Sequence, residues 1–300
     1  MKAYIKSSAN FQTLQNLDVT AWDVPIASTT DETGSITAYG EYAGYEGNFI
    51  LMDGTLYLIQ SVSPDNNTTV ISITSVLDFF DRPVTISGST CGGILSNILT
   101  NDYINQSDPF YKYTYITVTN TDTTAVSLSG SYSFKELVSQ FADSVEVTID
   151  GKGFNLAVSI TTANRPSHVV TFDGSEQLLS QTFSRSSVGK VTISGTDYYL
   201  KTDGTITTTM PASSDRVQGE WVVATSGTAD KVFAKNSESH KVEWMSFDKL
   251  GLRDSVRFRL NNTVYESTIS YIGSNSTDTR YKYKSGELAT TLTEKIRRMQ

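Results

Sequence analysis

The sequence contains one cysteine, Cys91, and only two histidines, His168 and His240. A lone cysteine excludes an intramolecular disulfide, and two isolated histidines leave little for metal binding or acid–base work. Long apolar runs are missing. The longest, Phe49–Met52 and Leu56–Ile59, are separated by a turn and fall far short of the ~20 residues that span a bilayer. Met1–Asp18 lacks the apolar core of a signal peptide, so secretion by the usual route is not expected. Without such a signal, the Asn-Xaa-Ser/Thr triplets at Asn66, Asn67, Asn105, Asn261 and Asn275 carry no weight as glycosylation sites. Basic residues are in the minority: 24 Lys+Arg face 32 Asp+Glu, a formal charge of −8 that argues against affinity for nucleic acid. What is plentiful is Ser, Thr and aromatic residues. The 16 Tyr, 13 Phe and 3 Trp exceed what a disordered chain carries and imply a buried core. A length of 300 residues allows two domains, or several small lobes.

Short strands separated by tight turns dominate. Phe49–Met52, Asp53-Gly54 and Thr55–Val62 read as a hairpin, because a type I′ turn needs positive φ at both central residues. Asp65-Asn66-Asn67 leads into the alternating strand Val70–Val76. Further hairpins are expected at Val145–Ile149 with Phe154–Ile160, turning at Asp150-Gly151, and at Tyr198–Lys201 with Thr205–Met210, turning at Asp203-Gly204. Val256–Leu260 turns at Asn261-Asn262 and returns through Val264–Ile272. Two helices stand out between residues 90 and 142. Ile94, Leu95, Ile98 and Leu99 form one stripe within Thr90–Tyr103. Ser133 and Glu136 form a capping box ahead of Phe134, Leu137, Val138 and Phe141. Leu288, Leu292 and Ile296 suggest a C-terminal helix ending in Arg297-Arg298. Asp53-Gly-Thr-Leu-Tyr57 resembles Asn261-Asn-Thr-Val-Tyr265, either as unrelated hairpins or as two copies of one β-barrel module.

No constellation of residues carries evident chemistry. Cys91 opens a predicted helix, where free N–H groups and the helix dipole would favour a thiolate; with His168 or His240 as base it would suit a cysteine hydrolase. The plainer expectation is a small residue packed under the first turn. His168 is expected to begin a strand and His240 to sit at a strand entry. Asp78 and Asp81 share the spacing of a carboxylate pair but are expected to pair locally with Arg82 and solvate a strand exit. Asp150-Gly-Lys-Gly153 lacks the ending of a phosphate loop. Tyr39, Tyr42 and Tyr45, spaced by Gly40, Gly44 and Gly47, are expected as exposed aromatics, serving a protein interface rather than sugar stacking. No catalytic, cofactor-binding or metal residue is assigned, and the chain is expected not to be an enzyme.

The order of these features resembles a family. Phe49–Val62, followed by Val70-Ile-Ser-Ile-Thr-Ser-Val-Leu-Asp-Phe-Phe-Asp-Arg82-Pro-Val84, is similar to the N-terminal part of baseplate hub, or tail-associated, proteins of long-tailed phages. The segments Gly93–Tyr103, Phe134–Ala142 and the hairpin at Asp150-Gly151 resemble that family's α/β lobe. Ser239–Trp244, Leu250–Phe258, Tyr265–Ile272, Tyr281–Gly286 and Leu292–Arg297 resemble its return into a second barrel; Val170–Asn236 matches least. The resemblance implies a mainly β fold with an α+β lobe: a first β-barrel module (1–76), an α/β lobe with two helices (77–166), a β-rich lobe (167–238), and a second barrel module with the C-terminal segment (239–300). It further implies a structural virion protein at the tail tip, assembled in the host cytoplasm. That protein forms a homotrimer joining the sixfold tail tube to threefold tip components. Its implied partners are the tail tube and distal tail proteins, the tape measure protein, and tail fibre or tip proteins. DNA would pass through the lumen without specific binding. A lytic or fibre-tip domain is expected to be absent or to reside on another chain. Two alternatives remain: a receptor-binding tail tip adhesin and a cysteine-type cell-wall hydrolase.

Overall fold

The computed structural model describes residues 2–29, 32–128, 130–172, 176–186, 188–224, 227–233, 237–260 and 263–286; at 183–186, 231, 237–240, 260 and 263 it describes backbone only. The expected C-terminal helix and the Asn261-Asn262 turn lie outside the described residues.

Six strands build the first module: β1 (Ala3–Lys6), β2 (Thr13–Ser28), β3 (Gly34–Tyr39), β4 (Phe49–Met52), β5 (Thr55–Asp65) and β6 (Thr68–Ser75). Each pairs with two others, so the order β1-β4-β5-β6-β3-β2 returns to β1 and closes a barrel, beyond which the ends of β2 and β5 extend. Alternate residues fill its interior, among them Ile5, Ile36, Ile50, Tyr57, Ile59, Ile71 and Ile73. Phe49 and Leu56 instead face outward, into the core of the next lobe. Covering on both faces is why the 49–59 hairpin reads as almost unbroken apolar sequence. Asp53 (φ 47°) and Gly54 (φ 93°) make its turn, as the type I′ geometry requires.

The α/β lobe follows. It contains a 3-10 turn (Val76–Phe80), β7 (Pro83–Val84), α1 (Cys91–Ile98) running into a π-helical turn (Leu99–Ile104), and β8 (Ile116–Asn120). Then come β9 (Tyr132–Ser133), α2 (Phe134–Phe141), β10 (Val145–Lys152) and β11 (Asn155–Thr162). The α1 stripe Ile94, Leu95, Ile98 and Leu99 is fully buried. Ser133 and Glu136 form the expected capping box on α2. Phe80 packs at 5.1 Å from Tyr103 and 5.3 Å from Phe134, edge-on or tilted as aromatic quadrupoles favour.

The β10–β11 hairpin does not turn at Asp150-Gly151. Those residues lie in the ladder opposite Ala157 and Leu156, and the chain reverses at Gly153 (φ 60°) and Phe154. Gly151 serves a different purpose: a Cβ there would lie 2.8 Å from Leu51 Cδ1 and 3.2 Å from Phe11 Cζ, so its bareness lets the hairpin settle on the barrel.

The remaining strands are β12 (Ser167–Val170), β13 (Gln177–Ser186), β14 (Val188–Ile193), β15 (Thr196–Leu200), β16 (Ile206–Thr207) and β17 (Glu220–Ala224). After them come α3 (Ala229–Phe233), β18 (Ser237–Ser246), β19 (Ser255–Leu260), β20 (Thr263–Asn275) and β21 (Tyr281–Ser285). Of the segment expected as one β-rich lobe, β12 and β13 pair instead with the C-terminal strands β19 and β18. Only β14–β17 form a separate sheet, in the order β16-β15-β14-β17, with one face buried on α3. This small module is inserted between two strands, β13 and β18, that lie side by side.

The C-terminal strands run β12-β19-β20-β21-β18-β13. Numbered by position within the module, that is 1-4-5-6-3-2, the order of the first barrel. β-bulges recur at matching places: between β2 and β3 (Val19/Ala21) and between β13 and β18 (Leu178/Ser180). They recur again between β5 and β6 (Ile59/Ser61) and between β20 and β21 (Ile269/Tyr271). The two hairpins whose sequences resemble one another, β4–β5 and β19–β20, occupy equivalent positions. The second module differs in that β12 runs parallel to β19, and no ladder joins β12 to β13 among the described residues. Its core centres on Trp244, stacked on Tyr283 at 5.2 Å and edge-on to Phe258 at 5.1 Å.

Candidate functional site

The N-terminus of α1, which carries the thiol of Cys91, is a closed structural site. The backbone N–H of Cys91 donates to Thr124 O (2.9 Å), that of Gly92 to Asp122 Oδ2 (2.9 Å), and that of Gly93 to Thr90 Oγ1 (3.0 Å). With these donors committed, none is left to stabilise a thiolate. Cys91 is buried, and burial together with the neighbouring Asp122 carboxylate pushes its thiol pKa up. Asp122 is itself buried and accepts from Gly92 N–H, Thr124 N–H (3.2 Å), Thr124 Oγ1 (2.6 Å) and Thr162 Oγ1 (3.1 Å). Burial alone would raise its pKa, but these hydrogen bonds outweigh it and hold the carboxyl below the usual range.

The other candidates are not brought to Cys91 as partners. His168 lies on β12 and its Nε2 meets Asp254 Oδ2 at 2.8 Å; that oxygen also accepts from Gly251 N–H at 2.7 Å. The backbone of His240 is in β18, and its side chain lies outside what is described. Asp78 does not pair with Arg82: it binds Lys135 Nζ at 2.6 Å. Arg82 instead lays its guanidinium 4.0 Å from the centre of the Tyr103 ring and 5.0 Å from that of Tyr111, and donates to the carbonyl of Asp102. The tyrosine loop is not an exposed platform either. Tyr42 is buried with its hydroxyl on Tyr39 O (2.9 Å), Tyr45 packs against the barrel core, and of the three only Tyr39 is exposed. Among the described residues no group of three or more His, Cys, Asp or Glu could hold a metal ion, and no helix is long and apolar enough to cross a membrane.

Two surface features escaped the sequence reading. The first is the open face of the inserted sheet. Trp221 (63% exposed) and Val223 (69%) stand beside a connected polar group. Trp221 Nε1–H donates to Thr192 Oγ1 (2.8 Å), Thr192 Oγ1–H donates to Asp197 (2.6 Å), and Asp197 pairs with Lys190 (2.7 Å), whose ammonium lies 4.2 Å from the Trp221 ring centre. The sequence does not signal it: Glu220-Trp-Val-Val-Ala224 is apolar on both faces of a five-residue edge strand, so no alternation separates the exposed Trp221 and Val223 from the inward Val222 and Ala224.

The second is a seam between modules. Asp23–Ser28 of β2 pair antiparallel with Tyr271–Asn275 of β20, joining the two modules in one continuous sheet. Trp22 Nε1–H donates across it to Ser274 Oγ (3.3 Å), Ser276 N–H donates to Trp22 O (2.9 Å), and Lys284 pairs with Glu32 (3.1 Å).

No family model matches the chain, and no curated protein does. Solved structures do match, and they define the class: the fold is that of phage tail and baseplate proteins. A chain of the phage P2 virion baseplate in its activated conformation aligns with a TM-score of 0.59 at 10% identity, covering 97% of this chain and 99% of that one. The P2 baseplate activated with Ca gives 0.59 at 11% identity over the same shares. Prophage tail protein gp18 from Listeria monocytogenes EGD-e gives 0.53 at 10% identity, covering 100% and 98%. At these identities the likeness is one of fold.

Proposed function

We propose that this chain is a structural, non-enzymatic hub of a phage tail baseplate. It assembles as a homotrimer at the distal end of the tail and adapts a sixfold tube to threefold tip components. The observation that carries this reading is the strand order 1-4-5-6-3-2 repeated within one chain. Three chains with two equivalent modules each present six near-equivalent units, which is what a sixfold partner requires of a threefold ring. The full-length likeness to baseplate chains supports it. So does the chemistry: the Cys91 thiol is buried with its helix donors taken, and His168 is committed to Asp254. Its partners in this reading are the tail tube and distal tail proteins, the tape measure protein, and fibre or tip proteins.

DNA leaves through the lumen of such a ring without being bound, and part of the −8 charge lines that lumen, because cationic walls would trap phosphate. Light scattering should give a trimer mass, and class-averaged electron micrographs a threefold ring with an axial hole. A monomer, or a compact trimer without a hole, would contradict the hub; a basic lumen would contradict only the charge argument. A second reading, a receptor-binding tip protein, draws on the exposed Trp221 face. It gains if virions carrying Trp221→Ala assemble normally yet fail to adsorb to the host.

A further inference from the structure

The seam between β2 and β20 has a counterpart that a single chain leaves unmade. Aligning modules on their bulges matches β2 Asp23–Ala27 with β13 Thr182–Ser186, and β20 Tyr271–Asn275 with β5 Ser61–Asp65. In the existing seam Asp23 pairs with Ser35 of β3 and with Asn275, so β20 occupies the edge of β2 opposite β3. Tyr271 likewise pairs with Lys284 of β21 and with Ser28, so β2 occupies the edge of β20 opposite β21.

The corresponding edges are open among the described residues. β13 has β18 along one side, and the other side of 182–186 carries no ladder. β5 has β6 along one side of 61–65; on its other side the β4 ladder ends at Leu58, and the last bonds join Ile59 to Gly47 and Asn48. The two open edges cannot meet within one chain: they lie at opposite ends of the run β13-β18-β21-β20-β2-β1-β4-β5.

We propose that β13 of one copy adds antiparallel, through its backbone, to residues 61–65 of β5 in the next copy. The in-chain register (Asp23 opposite Asn275, Pro25 opposite Gly273) then sets Thr182 opposite Asp65 and Ser184 opposite Ser63. The occupant is a second copy because the seam already present within the chain is the template for the missing one. Each copy carries one giving and one receiving edge, a heterologous contact that closes a ring when the rotation permits and leaves neither of these two edges bare. In a trimer, three seams within chains alternate with three between them, so the inference rests on the hub reading for its copy number. Pro64 gives the receiving edge a carbonyl acceptor and no donor, which discourages indiscriminate strand pairing while Val62 keeps both groups.

Directly opposed residues bring Cβ atoms ~4.5–5.5 Å apart, close to the ~3.5–4.5 Å of a disulfide. The test uses the full chain in a Cys91→Ala background with Ser63→Cys and Ser184→Cys, mildly oxidised and run on non-reducing gels, with Asp65→Cys/Thr182→Cys as a second pair. The expected result is reducible dimers and trimers from the double variants. Co-expressed single variants should stop at dimers, and each single variant alone should give none. Light scattering on the same samples separates the two ideas. A trimer mass with neither pair cross-linking overturns this seam and leaves the hub standing; a monomer at all concentrations overturns the hub and the seam together.

Discussion

Replacing Asp122 should loosen the α/β lobe more than any other single polar change in it. Its carboxylate accepts four hydrogen bonds and ties the loop at 121–126 to the first turn of α1. In Asp122→Ala the two threonine hydroxyls can rotate toward other acceptors, but two backbone N–H groups lose their partner. Gly92 N–H is buried and Thr124 N–H partly so. At ~1–3 kcal/mol for an orphaned buried donor, less for the half-exposed one, the loss comes to about 2–4 kcal/mol. Asp122→Asn keeps the shape but turns an N–H₂ group toward existing donors, so about 1–3 kcal/mol is expected.

Because the folded carboxyl is held below its ordinary value of ~3.9, the part of this contribution that depends on its charge is fully present above that pH and lost as pH falls through the folded value. The gap between wild type and variants should therefore narrow in acid, without closing, because a protonated carboxyl still accepts through its carbonyl oxygen. Urea unfolding followed by circular dichroism would read the energies, and hydrogen exchange at the α1 amides would localise them. If both variants lie within ~0.5 kcal/mol of wild type at pH 7, with α1 amides equally protected, the carboxylate is not the tie described.

Gly151→Ala places a Cβ 2.8 Å from Leu51 Cδ1, and should cost about 1–3 kcal/mol in thermal or urea unfolding; an unchanged midpoint would show that the hairpin does not press on the barrel. Cys91 should resist iodoacetamide in the native protein at neutral pH and react at an ordinary rate once unfolded. Fast native alkylation would reopen the question of a reactive thiol.

How much of this was legible in the sequence follows from the range over which each feature is specified. Asp53-Gly54 dictates its own turn through φ, and the Ser133–Glu136 box spans three residues, so both were readable. Asp150-Gly151 misled because two glycine turns compete within four residues, and the choice depends on Leu51 and Phe11, both far earlier in the chain. Arg82 is expected to pair with Asp78 and Asp81, within four residues of it, yet the lysine that takes Asp78 comes from α2 and the rings that take Arg82 from the π-helical turn and the segment beyond it. The partners of β12 and β13 lie downstream beyond an entire inserted module, so local pattern could assign them only to the wrong neighbours.

The repeat itself left one audible trace, the Thr-apolar-Tyr step after each hairpin turn. A barrel strand demands little of sequence beyond alternation and a bulge in the right place, and many residue types satisfy both. The bulges are therefore better markers of equivalence than residue identity. They mark where strands 2 and 5 of each module bend out of their own sheet, which is where β2 and β20 find one another. A single-residue deletion at Gln60, the bulged residue of β5, should straighten that strand and turn 61–65 away from any partner. The first barrel would retain its β5–β6 ladder with register restored on the turn side. Such a chain should fold to a monomer with near-native circular dichroism. If it instead gave the same oligomer mass as wild type, the bulge would be incidental to assembly, and equivalence between modules would lose its structural meaning.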